Sequence, residues 1–162
     1  MDNVLTIISA ICTLISVVSA YKSAKYYKKS KQLTIYANTN VAFVETQKII
    51  STLTEILKLS NPVKQQRGIN LAKQLGTHGE SIKSSINTMR EKLSVEDFKD
   101  VKTKFTSYGL NVESYIDSFI SGSVLIENEF AVDERFHSCQ QVFYDIQILL
   151  KTKIERIEEK LS

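Results

Sequence analysis

VLTIISAICTLISVVSA, residues 4–20, contains no charged side chain. Coiled at 1.5 Å per residue, this stretch reaches about 25 Å, against a bilayer core of about 30 Å. Tyr21 suits the interface, and Lys22 can extend its amine toward water, which lengthens the usable span. Residues 1–21 therefore read as a single transmembrane anchor.

Three other readings compete. Val18-Ser19-Ala20 resembles a signal-peptide cleavage site, but Met1-Asp2-Asn3 carries an acid and no basic residue ahead of it. A buried core helix would also be apolar all round. An interfacial helix would need basic residues on its polar face, and here that face holds only hydroxyls. The membrane span is preferred to all three.

Working outward, residues 22–32 form a basic juxtamembrane segment. Lys22, Lys25, Lys28, Lys29 and Lys31 occur there without an acid. The chain's net charge is only +3, so the basic character is one local block. Positive flanks stay on the cytosolic side of a membrane. The expected topology puts the N-terminus outside and residues 33–162 in the cytoplasm. Each lysine close to an anionic leaflet would add about 1 kcal/mol, and the simplest role for the block is to hold that orientation. Lysine far outnumbers arginine (17 to 4), as an AT-rich genome would give, and a bacterial source is expected on that ground. Arginine is the better bidentate phosphate reader, so no sequence-specific nucleic-acid binding is expected.

Within the span, Thr6, Ser9, Thr13, Ser16 and Ala20 step by 3, 4, 3 and 4 and fall on one helical stripe. Small and hydroxyl residues so placed let two membrane helices approach. Equally, the hydroxyls can bond to carbonyls of their own helix. Interhelical hydroxyl bonds average about 0.6 kcal/mol, too little to force an oligomer alone.

Beyond the lysines the chain reads as all-α. With 5 Gly, 1 Pro and 43% hydrophobic residues, all-β, collagen-like and low-complexity architectures are excluded. Ala42, Ile49, Ile50, Leu53, Ile56 and Leu57 mark a helical apolar face that Asn61-Pro62 should end. Residues 33–40, LTIYANTN, are the weak point of that arm, where a kink is expected. Gly76-Thr77-His78-Gly79 reads as a break in a second arm. Ser94-Val95-Glu96-Asp97 resembles a capping box. Phe98, Val101, Phe105, Tyr108, Val112, Tyr115 and Phe119 step by 3 and 4 as one sustained seam. Val132, Phe136, Cys139, Phe143, Ile146, Leu150, Ile154, Ile157 and Leu161 continue the pattern. Four arms, 33–60, 62–93, 95–121 and 124–161, predict an antiparallel up-down bundle behind the transmembrane helix.

Catalytic signals are sparse. Glu134-Arg135-Phe136-His137 has the Glu-x-x-His spacing of di-iron bundles, but the required second copy is missing: Leu75 stands three residues before His78. Arg135 and His137 are too close for the arginine-to-histidine spacing of helical ribonucleases. Cys139 belongs to an apolar series and reads as a small buried hydrophobe, diverging from His137. No phosphate-binding or nucleophile motif occurs. No cofactor, metal site or catalytic residue is expected. The leading expectation is a non-enzymatic, membrane-anchored module acting by protein contact, with the bilayer and either its own copies or another protein as partners. The alternatives are an oligomerising membrane effector of a toxin or antiphage system and, last, a hydrolase or nuclease around Glu134, Arg135 and His137.

Overall fold

The computed structural model describes residues 2–61, 70–127 and 129–161, with backbone alone for residues 2–11. Five α-helices are present among them. They are α1 (Asp2–Leu59), α2 (Leu71–Lys92), α3 (Val95–Phe105), α4 (Val112–Ser121) and α5 (Glu134–Leu161). A 3-10 turn, Ser107–Gly109, joins α3 to α4.

Helix α1 runs 58 residues without a break, about 87 Å. The kink expected over residues 33–40 does not occur. Thr34, Thr39 and Asn40 donate their side chains to the carbonyls of Ser30, Ile35 and Tyr36, so these polar residues turn back onto the helix and do not open it. Ser60 closes the far end by donating to the Leu57 carbonyl.

Paired contacts fix the directions. Thr46 meets Met89, and further along Glu55 lies 3.8 Å from His78, so α2 runs antiparallel to α1. Lys83 pairs with Asp117 and Arg90 with Glu113, which sets α4 antiparallel to α2. Asp97 pairs with Lys153 and Lys104 with Asp145, so α5 returns against α3. This is the expected up-down-up-down bundle, with its third arm made of two helices.

That division corrects the reading of 95–121 as one helix. Tyr108 and Gly109 both adopt left-handed backbone, φ 60° and 68°, and stop α3. Asn111 restarts the chain by accepting from the Ser114 N–H at 3.1 Å. Tyr108 thereby leaves the seam: it is exposed, and its hydroxyl donates to Asp145 at 3.0 Å. The other seam residues are buried, apart from half-buried Phe98.

Two further boundaries move. The fourth arm begins at Glu134, not at 124, because Asp133 caps it: its Oδ1 accepts from the Phe136 N–H at 3.0 Å. The preceding loop instead inserts Phe130 into the core, between Phe119 and Phe136. The start of the second arm, residues 62–69, lies outside the described residues, and α2 begins at Leu71 behind the Asn70 cap. The expected break at Gly76–Gly79 is continuous helix, and Gly79 is buried against α4. The Ser94 cap stands as expected, accepting from the Asp97 N–H at 3.2 Å.

Candidate functional site

Where α1 leaves the bundle, its neighbours end. Every described side chain from residue 12 to residue 31 is exposed, including Leu14, Ile15, Val17 and Val18. The buried-core alternative therefore fails for the described part of the segment. Among the described residues no helix is long and apolar enough to cross a membrane. The first part of the 4–20 segment, through residue 11, lies outside the residues whose side chains are described.

Lys22, Lys25, Lys28, Lys29 and Lys31 all sit on this projecting part of α1, each exposed. At about 100° per residue they cover one half of the helix circumference and leave the other half uncharged. Of the hydroxyl stripe, Thr6 and Ser9 lie outside the described side chains. Ser16 donates to the Cys12 carbonyl at 2.8 Å, the intrahelical choice, and Ala20 is exposed.

At the root of the projection the bundle opens into a cleft of about 610 Å³ between α1, the α2–α3 junction and α5. Lys31, Lys92, Lys153 and Lys160 line it together with Glu96 and Asp97. Asp97 pairs with Lys153, whose partial burial lowers its pKa from the usual lysine value. Sequence reading missed this cluster because its members come from separate arms.

A buried polar layer lies further up. Glu45 accepts from Lys48 at 2.5 Å and from Ser85 at 2.8 Å. Burial opposes its charge, but these donors outweigh that cost and hold the carboxyl below its usual range. The layer ties α1 to α2 in one register. Among the described residues no buried side-chain polar atom is left without a partner.

The Glu-x-x-His pair comes to nothing as a ligand set. Glu134 and His137 are both exposed, and among the described residues no group of His, Cys, Asp or Glu could hold a metal ion. Arg135 is bound to Asp133 at 2.6 Å and lies 5.6 Å over the Tyr115 ring. Burial, with the nearby Asp133 charge, pushes the Tyr115 hydroxyl strongly upward. This cluster clamps the loop to α5. An Asp ahead of an apolar period signalled such a cap in the sequence, but the reading placed the helix start too early. Cys139 is fully buried, and burial pushes its thiol up to about 12.

Comparisons with protein-family models, curated proteins and solved structures find no match to this chain.

Proposed function

We propose that the chain is a membrane-tethered helical bundle that acts by protein contact, as a scaffold, sensor or accessory subunit, and not by catalysis. One observation carries the reading: the described part of the uncharged stretch, from residue 12, is helix that leaves the bundle with Leu14, Ile15, Val17 and Val18 uncovered. Fully covering a side chain such as Leu, Ile or Val is worth about 1.5–3 kcal/mol. Leu14, Ile15, Val17 and Val18 forgo that inside the bundle and would recover it in lipid.

The lysines set the orientation, with the bundle in the cytoplasm and the N-terminus outside. Their contributions are unequal. With Lys22 at the membrane surface, Lys31 stands about 14 Å higher along the helix. That exceeds the Debye length of about 8 Å at physiological salt, so Lys22 and Lys25 dominate the attraction to anionic lipid.

The oligomerising toxin or antiphage effector is less favoured, because the hydroxyl stripe it would use includes Ser16, already bonded within its own helix. A hydrolase is less favoured still, because Arg135 is held by Asp133 and Tyr115.

Membrane fractionation with reporters at either terminus tests the proposal. The expected result is carbonate-resistant membrane association, with the C-terminal reporter cytoplasmic and the N-terminal one outside. Recovery in the soluble fraction, or a C-terminal domain outside the cell, overturns it.

A further inference from the structure

The outward face of α1 carries more than the tether requires. Within the bundle, Ala42, Thr46, Ile49, Leu53 and Ile56 direct one side of α1 into the core. Leu33, Val41 and Val44 lie on the opposite side, all exposed. Followed downward at about 100° per residue, the same sector passes through Tyr26 and reaches Ile15, both exposed as well. Between Cys12 and Val44 it meets no charged residue, although five lysines crowd the same stretch of chain. Those lysines fall on the remaining part of the circumference. A basic flank that only sets topology has no reason to be one-sided.

The spacing adds a second feature. Ser16, Ser23, Ser30, Ala37 and Val44 recur every seventh residue on this face. A strict seven-residue repeat on a helix of 3.6 residues per turn drifts by about 20° per repeat, which a left-handed supercoil corrects. Small side chains at one position of each repeat let a second helix come close. The hydroxyl stripe read from the sequence lies beside this face, but it runs onto Lys31 and then turns toward the bundle core.

We infer that this face binds the same face of a second copy, α1 against α1, parallel and in register. The inference rests on the membrane tether, which would hold two copies side by side and pointing the same way. Cys12 to Val44 spans about 50 Å of helix. A strip one helix wide, about 10 Å, covers about 500 Å² on each copy, or about 1,000 Å² in total, the lower bound for a specific interface. Lys22 borders the strip, and the other four lysines of each copy lie further round the helix, so like charges meet at most along one edge of the contact.

Oxidative cross-linking of the full chain in native membrane vesicles tests this. In a Cys12→Ser background, Ser30→Cys and Ala37→Cys each place a thiol on the face, and Ala24→Cys places one on the opposite side. Cys139 is buried and does not compete. The expected result is a disulfide-linked dimer at 30 and at 37, several-fold weaker at 24. Val44→Lys, at an exposed position, should remove the Ala37→Cys dimer while leaving the thermal midpoint unchanged. Absence of dimer at 30 and 37, or equal dimer at 24, overturns the inference. Pelleting of the chain with the vesicles is scored separately, so loss of the tether is distinguished from loss of the interface.

Discussion

Gly79 of α2 lies directly against Ile120 of α4: a Cβ added there would stand 2.8 Å from Ile120 Cγ1 and 3.1 Å from Phe119 Cβ. Three residues earlier, a Cβ on Gly76 would meet only the Ile120 carbonyl, at 3.6 Å. The two glycines thus predict opposite outcomes. Replacing glycine by alanine inside a helix gains about 0.8–1 kcal/mol of propensity. At Gly76 that gain should appear almost intact. At Gly79 overpacking of about 1–3 kcal/mol works against it. Gly79→Ala should therefore be neutral to about 2 kcal/mol destabilising, and Gly76→Ala stabilising, in urea denaturation. A Gly79→Ala protein at least as stable as Gly76→Ala contradicts the close contact.

The same pair shows what local sequence can say. Gly76-Thr77-His78-Gly79 reads as a break because glycine weakens helices locally, and the compensating reason, a neighbouring helix pressed against Gly79, comes from residues forty positions away. The heptad steps from Phe98 to Phe119 predicted the core faces of α3 and α4, with Tyr108 the exception. They could not reveal the break, since the phase resumes after it and α3 and α4 continue the same arm. Residues 33–40 misled in the opposite direction: β-branched and Asn residues lower helix propensity, but side-chain bonds to preceding carbonyls keep these groups satisfied within α1. The lysines of residues 22–31 could be seen as one cluster from the sequence, because they lie in a single stretch of chain. The open-end cleft could not, since Lys92 and Lys160 meet Lys31 only through tertiary structure.

The break in the third arm should be sensitive at Gly109. Its φ of 68° is a conformation in which a Cβ collides with the backbone, and open space around the residue offers no compensating contact. Gly109→Ala should cost about 1–2 kcal/mol in thermal or urea unfolding. The far-ultraviolet spectrum should not gain helix, because Tyr108 still adopts φ 60° and Asn111 still caps α4. A stabilised, more helical Gly109→Ala protein would mean the arm prefers to be straight.

Glu45 should confer pH-dependent stability. Its folded pKa lies below the usual 4.5, because donation from Lys48 and Ser85 outweighs the cost of burial. A depressed carboxylate contributes fully above its unfolded pKa and loses that contribution as pH falls through the folded value. Glu45→Gln should therefore lose about 1–2 kcal/mol at neutral pH. The gap to the unsubstituted protein should begin to narrow as pH falls below the ordinary value of 4.5 and close only once pH has passed through the lower folded value. Parallel urea titrations at several pH values check this. A gap that persists unchanged into acid would assign the loss to packing and not to charge.

Cys139 should be chemically silent until the bundle opens. Its thiol is fully buried beside Phe136 and Phe143 on α5, and burial pushes its pKa up to about 12. The reactive species is the thiolate, so at pH 8 both access and ionisation are withheld. In a Cys12→Ser protein, a maleimide should leave the folded chain unlabelled and modify one thiol in denaturant, read by intact mass. Because labelling requires opening, its rate in intermediate urea should follow the unfolded population. Gly76→Ala should slow it and Gly109→Ala should speed it. Rapid labelling without denaturant would mean that α5 separates from α1 far more readily than a core of this completeness permits.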